Sequence, residues 1–327
     1  MNSSVTQSPA MAGRYIVLAL IAALALVPFL APKYMVNLLT EILIFGLLAA
    51  SLDLVLGYTG LASLGHAAFF GAGAYTVGIL AVKGHCTSVL AAVPAALLVS
   101  MVLALIVGFF SLRTSGIYFL MITLAFGQML FALVHKWTEL SGGSDGCSLG
   151  KRPIIQLLSP YLTVDFSDYR HFYLVVLVTV LLAFVALRGV VKLPLGQVAV
   201  GIRENELRVR FMGFNTFAYK LAMFVISGCF AGLAGILYMY FNAFISPEEL
   251  SWVMSGKVLV MVILGGVGTV YGSVLGAGTL LLMENWLSSY TERWLLILGS
   301  IFVFFVLFAP EGLVGVFRGA AARWGRK

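Results

Sequence analysis

A chain of 327 residues with 61% hydrophobic and only 10% charged side chains has a mean hydropathy of +1.04, against roughly 45–50% apolar and 25% charged residues in soluble domains. Too little polar surface exists to cover a water-soluble globule, so a soluble enzyme is excluded, and with no charge excess and no heptad repeat so are a disordered chain and a coiled coil. The formal charge of +7 belongs to the ends of membrane spans, as set out below, and argues for no nucleic-acid partner.

A membrane helix needs roughly 20 mostly apolar residues. Such runs fall at 15–31, 36–56, 61–82, 89–111, 116–135, 171–188, 219–241, 252–268, 271–289 and 294–309. The expected fold is an all-α polytopic membrane protein of about ten helices, within a range of roughly 8–10. Membrane strands would alternate apolar and polar over about 10 residues, whereas these runs are continuously apolar and longer. The third, eighth and ninth are Gly-rich and follow short connections, so a broken or re-entrant form stays open for each. Arg14 precedes the first run much as in a signal peptide. No small-x-small cleavage site follows, and the run is read as the first helix.

Charge sets the expected orientation. Arg113, Arg188, Lys192, Arg203, Arg208, Arg210, Lys220 and the basic C-terminus lie at one set of span ends. They outnumber Lys33, Lys83, Lys136, Lys151, Arg152, Arg170 and Arg293 at the other. The positive-inside rule then puts both termini in the cytosol. The organisation that follows is a cytosolic tail over 1–14, one membrane domain over 15–317 and a basic cytosolic tail over 318–327. Within the domain, an outer loop at 136–170 carries Ser141-Gly142-Gly143-Ser144-Asp145-Gly146, a turn-rich run. The long cytosolic loop is 189–218.

In that loop Pro194 and Gly196 break the preceding span, a helix of about 14 residues can follow, and Gly213 is a natural stop. Val198, Ile202 and Val209 recur near helical spacing, while Arg203, Glu204, Asn205, Glu206 and Arg208 supply the polar side. Glu204 and Arg208 stand at i,i+4 and are placed to pair. An amphipathic helix at a membrane face suits docking into the groove of a soluble subunit. An ordinary basic loop obeying the positive-inside rule explains the same residues about as well.

Glycines supply the second signal. Gly71 and Gly73 lie in the third run, Gly228 and Gly232 in the seventh, and Gly268, Gly272 and Gly276 form a GxxxGxxxG spacing over the eighth and ninth. Such faces let helices pack backbone to backbone, and plain tight packing explains a given glycine better than ligand contact does. The segments from Leu56-Gly57 to Ala74 and from Leu264-Gly265 to Gly278 share a loose Gly-rich pattern that one sequence does not establish as a repeat.

Ionisable groups inside a membrane are expensive and point to function. Glu41, Asp53, His66, Lys257 and Glu284 qualify. Glu41, Glu284 and Asp53 fall near span ends, where they can reach the interface. Asn37, Asp53, His66 and Gln128 are the candidates for lining a translocation path, against the blander role of bridging helices. No metal site or catalytic constellation emerges: the histidines are scattered, and HExxH, CxxC, GxSxG and Walker A patterns are missing. ATP, if used, must be bound by another chain.

Five blocks, in order from about 37 to 314, resemble the permease family of branched-chain amino acid ABC importers, and within it the LivM-like subunit. They are Ser51-Leu52-Asp53-Leu54-Val55-Leu56-Gly57-Tyr58-Thr59-Gly60-Leu61 running on to Tyr75; Thr123-Leu124-Ala125-Phe126-Gly127-Gln128; Gly142-Gly143-Ser144-Asp145-Gly146; Gly201-Ile202-Arg203-Glu204-Asn205-Glu206 with Lys220 to Gly228; and Met261 to Thr269 with Pro310-Glu311-Gly312-Leu313. The resemblance implies a non-catalytic subunit of the bacterial inner membrane with no cofactor of its own. It implies a second, LivH-like permease, two ATPase chains holding ATP and Mg, and a periplasmic substrate-binding protein. The segment around Arg203–Asn205 would be the coupling helix that meets the ATPase. Relatives handle urea, short amides and aromatic carboxylates, and the external binding protein does most of the selecting. Cys147-Ser148 departs from the aliphatic residue that often follows Gly-Gly-Ser-Asp-Gly in relatives, which leaves the outer loop's role open. An ion-coupled secondary transporter is the rival from another class, with Asp53 and His66 as its modest candidates for a buried ionic site.

Overall fold

The computed structural model describes residues 22–82, 88–150, 154–156, 163–165, 168–291, 293, 296–297, 299–303 and 312–315. The N-terminal tail 1–14, the start of the first expected span, most of the tenth and the C-terminal tail 318–327 lie outside them.

Helical residues 22–30 (α1) lead into α2 (Lys33–Thr59), α3 (His66–Val82), α4 (Val89–Ser111), α5 (Ile117–Lys136) and the short α6 (Thr138–Ser141). After the loop region come α7 (Tyr169–Lys192), α8 (Pro194–Phe211), α9 (Thr216–Asn242), α10 (Trp252–Gly265) and α11 (Gly272–Ser288). Five of these, α2, α4, α5, α7 and α9, are long and apolar enough to cross a membrane. The family fold is thus a helical membrane bundle, and the described residues do not bring the number of crossings to ten.

Two of the expected spans are interrupted. The third begins as an extended segment, 61–65, and only then becomes α3; the eighth ends at Gly265 and gives way to a turn before α11. At 1.5 Å per residue α10 reaches about 21 Å and α3 about 25 Å, short of a hydrocarbon core of about 30 Å. Irregular backbone at membrane depth is tolerated where protein covers it, and here it is covered. Gly57 packs so closely on Gly268 that a Cβ would run into the Gly268 backbone. The two Gly-rich segments therefore meet each other, and each contains a break.

Position in the bundle follows composition. α2 is apolar all round, as a buried helix must be, and 89% of its most apolar window is buried, against 17% for α5. α2 is accordingly the central post, packed by α7, α9 and α11. α5 and α4 present Phe110, Ile117, Tyr118 and Met121 outward. Glycines set the closest approaches: a Cβ on Gly73 would strike the Gly232 carbonyl, and one on Gly276 the Met261 carbonyl. Gly71 faces Leu250, Gly228 faces Ala104, Gly232 faces Ser100, and Gly272 faces Thr269 and the Gly265 carbonyl.

At the end away from α8, the Ser141–Gly146 run is a compact turn. Ser141 Oγ donates to the Val134 carbonyl at 2.5 Å and the Trp137 carbonyl at 2.8 Å. Gly146, at φ +73°, sits against the Ile245 carbonyl where a side chain would not fit. This places β1 (Cys147–Ser148) antiparallel to a second two-residue strand, Phe244–Ile245. Strands Ile154–Gln156 and Thr163–Asp165 form a separate antiparallel pair.

Candidate functional site

The cytosolic-loop helix α8 is built differently from expectation. It is two helices joined at Asn205, whose φ of −161° and ψ of 98° are extended. Asn205 Oδ1 accepts from the Arg208 backbone N–H at 2.9 Å, so Asn205 caps the second piece. The break removes the i,i+4 geometry, and the anticipated Glu204–Arg208 pair does not form. Glu206 instead takes a proton-donor contact from Lys220 Nζ at 2.8 Å and another from Thr216 Oγ1 at 2.9 Å, with Arg210 Nη2 at 3.5 Å. Burial acts to raise the Glu206 pKa, but the hydrogen bonds from Lys220 and Thr216 and the charges of Lys220 and Arg210 outweigh it. The carboxyl is held below its ordinary value, and α8 is clamped to the start of α9.

Gly196, Ala199, Ile202 and Val209 face the bundle. On the other side Leu207 is 61% exposed, Met212 68% and Phe211 87%. Glu204, Asn205 and Arg208 are exposed beside them. Three apolar side chains standing out of a charged helix are a docking signal that the polar reading of this loop missed. They break the amphipathic pattern, and that irregularity was the clue.

Arg203 turns inward. Its Nη1 donates to the Gly57 carbonyl near the C-terminus of α2, and its side-chain carbons pass Gly60. Behind this contact Asp53, with no exposed surface, accepts from the Gly268 N–H at 2.7 Å, and Tyr58 donates to the Gly268 carbonyl at 3.1 Å. Gly268 holds φ +81°, open to glycine with little strain. The sequence-predicted Arg203, Asp53 and Gly268 are thus brought together, tying α8, the end of α2 and the α10–α11 turn into one polar joint.

His66 is placed elsewhere. It is fully buried, with Nε2 3.0 Å from Ser51 Oγ and 3.3 Å from Ser227 Oγ. Ser51 spends its proton on the Leu48 carbonyl and Ser227 on the Ser51 carbonyl, so the network assigns the imidazole proton to Nε2. This is a three-helix bolt joining α2, α3 and α9. Asn37 lies partly buried near the start of α2, and Gln128 partly buried in α5 with its amide nitrogen lacking a hydrogen-bond partner. Asn37 and Gln128 join neither group.

Away from α8, a charged cluster breaks the apolar surface. Lys257 Nζ lies 2.5 Å from Glu284 Oε2, each side chain about a quarter exposed at 28% and 25%, and 5.8 Å from the centre of the Phe45 ring. Tyr238 donates to Glu249 Oε1 at 2.8 Å. Glu41 stands within electrostatic reach of Lys257, Glu284 and Glu249. A pocket of about 500 Å³ opens beside Lys257. Among the described residues no cluster of His, Cys, Asp or Glu has the makings of a metal site.

Compared with known proteins, residues 34–309 match the family described as "Branched-chain amino acid transport system / permease component". The chain is 31% identical over 308 residues to the high-affinity branched-chain amino acid transport system permease protein LivM of Salmonella typhimurium, covering 89% of this chain and 72% of that protein. It is also 31% identical over 321 residues to LivM of Escherichia coli K12, covering 93% and 75%. A shorter likeness, 26% over 123 residues, spans 37% of this chain and 40% of the E. coli permease protein LivH. No solved structure gives a significant match. With five membrane-length helices, a glycine-packed core and a family match over most of its length, the chain belongs to the branched-chain amino acid transport system permease family.

Proposed function

We propose that this chain is the LivM-like permease subunit of an ATP-driven importer of branched-chain amino acids in a bacterial inner membrane, with α8 on the cytosolic side. It works beside a LivH-like permease, two ATPase chains that bind ATP and Mg, and a periplasmic binding protein. It performs no covalent chemistry and holds no cofactor.

The observation that carries this reading is α8 itself. One face, Leu207, Phe211 and Met212, stands free of the bundle, and the other is bound to it through Arg203 and the Glu206–Lys220 pair. A helix seated in an ATPase groove by such apolar anchors passes a displacement of the motor directly to Gly57 of α2 and, through the Gly57–Gly268 contact, to the α10–α11 turn. Arg203 is therefore the transmitting residue, while Glu204, Asn205 and Arg208 meet the motor. Asp53, buried within the joint, positions Gly268 rather than lining a path, and His66 fixes the helices around it.

The test is uptake of labelled leucine by proteoliposomes holding the assembled importer and its loaded binding protein. Uptake is expected only with ATP. Uptake that continues without ATP and stops on collapse of an ion gradient would overturn the reading in favour of a secondary transporter.

A further inference from the structure

The charged pocket away from α8 takes no part in the coupling argument, yet it is the most conspicuous polar feature of the membrane-facing surface. Lys257 sits in the second turn of α10, and Glu284 in the last turns of α11. Both belong to apolar helices, both are part-exposed, and charges so placed face water or protein rather than lipid. The pocket is lined by Lys257, by Glu248 and Glu249 of the 3₁₀ turn Pro247–Leu250, and by Phe131, Val253 and Met254, with Ser246 and Ser251 at its edge. Its volume of about 500 Å³ lies in the range of small-ligand sites, about 300–1,000 Å³. Cation, carboxylates and an apolar wall stand in one cavity.

We propose that this pocket receives an aliphatic α-amino acid as its zwitterion before the solute passes to the centre of the transporter. Resting on the substrate reading above, it assigns the residues that meet the substrate. The α-carboxylate faces Lys257, the α-ammonium faces Glu248 and Glu249, and the side chain lies on Phe131, Val253 and Met254. Lys257 then exchanges part of its pairing with Glu284 for the incoming carboxylate. Glu41, in reach of both, adds to a carboxylate excess that favours the ammonium end. Neither a plain carboxylic acid nor an uncharged amide answers both halves of this lining.

The experiment uses the complete importer in proteoliposomes, supplied with leucine-loaded binding protein. Lys257→Gln and the double variant Glu248→Gln/Glu249→Gln are expected to lower leucine uptake about tenfold or more, as expected on losing one partner of a desolvated charge contact. Lys257→Arg is expected to retain most uptake, which a purely packing role for Lys257 would not produce. The amide replacing Glu249 still accepts from Tyr238, so the turn keeps its anchor. In a chain whose own cysteines are replaced by alanine, leucine-loaded binding protein is expected to slow reaction of Val253→Cys with a thiol reagent. This measurement decides the matter should the charge variants not assemble. Wild-type uptake matched by Lys257→Gln, or a Val253→Cys labelling rate indifferent to leucine, overturns the pocket assignment alone. A wild-type importer that takes up no leucine overturns the substrate reading and this proposal with it.

Discussion

The two ends of the molecule solve opposite problems. At the α8 end the contacts are between backbones: Arg203 reaches the Gly57 carbonyl, Asp53 and Tyr58 hold Gly268, and Gly57 lies directly on Gly268. Such contacts have short reach and little slack, so a push on α8 moves α2 and the α10–α11 turn together. At the other end long side chains, Lys257, Glu284, Glu248 and Glu249, surround an open cavity. Their charges can re-pair without moving a helix. One end is made to transmit force and the other to exchange partners, and glycine against flexible charge is how the sequence draws the difference.

The largest effect is expected where the stiff end is forced apart. Gly57→Val would drive a branched side chain into the Gly268 backbone and Asp53, where no flexible group can yield. Overpacking of this kind costs about 1–3 kcal/mol or more, and the folded chain recovered from membranes should fall sharply. Gly189→Val in α7, where a Cβ meets nothing within 4 Å, should leave recovery near the wild-type level. Equal recovery of the two would remove the contrast.

Next comes the free face of α8. Removing an aromatic hot spot costs about 2 kcal/mol or more, so Phe211→Asp should weaken ATPase binding roughly 30-fold. Copurification of the ATPase chains reads this directly, and an unchanged yield would deny Phe211 its docking role.

A smaller effect is expected from the Glu206–Lys220 clamp. Because the Glu206 carboxyl is held below its ordinary value of 4.5, its contribution is complete above that pH and is lost as the pH falls below it, when the carboxylate is protonated. Hydrogen exchange in α8, corrected for the intrinsic rate, should be flat from neutrality down to about that value and rise beneath it. Glu206→Gln should abolish the rise, with a change at neutral pH of no more than about 1 kcal/mol for a part-exposed pair.

Much of the bundle was legible because lipid imposes a simple rule. Runs such as 89–111, 116–135 and 219–241 had to be helices, and they are α4, α5 and α9. The breaks before His66 and after Gly265 were visible only as glycine richness, since nothing local says whether glycines end a helix or tighten its packing. Asn205 is similar: its residue type suits both a helix face and a cap, and the choice depends on Glu206 finding Lys220, 14 residues away. Arg203 was picked out for the right helix but pointed the wrong way, since its partner Gly57 is 146 residues distant. The Lys257–Glu284 pair was seen as separate charges near span ends, and only the antiparallel packing of α10 and α11 joins them.

The account rests on Arg203 as the link between motor and membrane. The direct measurement is leucine taken up per ATP hydrolysed by the reconstituted importer with Arg203→Ala, against wild type. A retained ATPase rate with uptake lowered about tenfold or more is the predicted result. A variant that imports leucine at the wild-type ratio would show that force enters the bundle by another route.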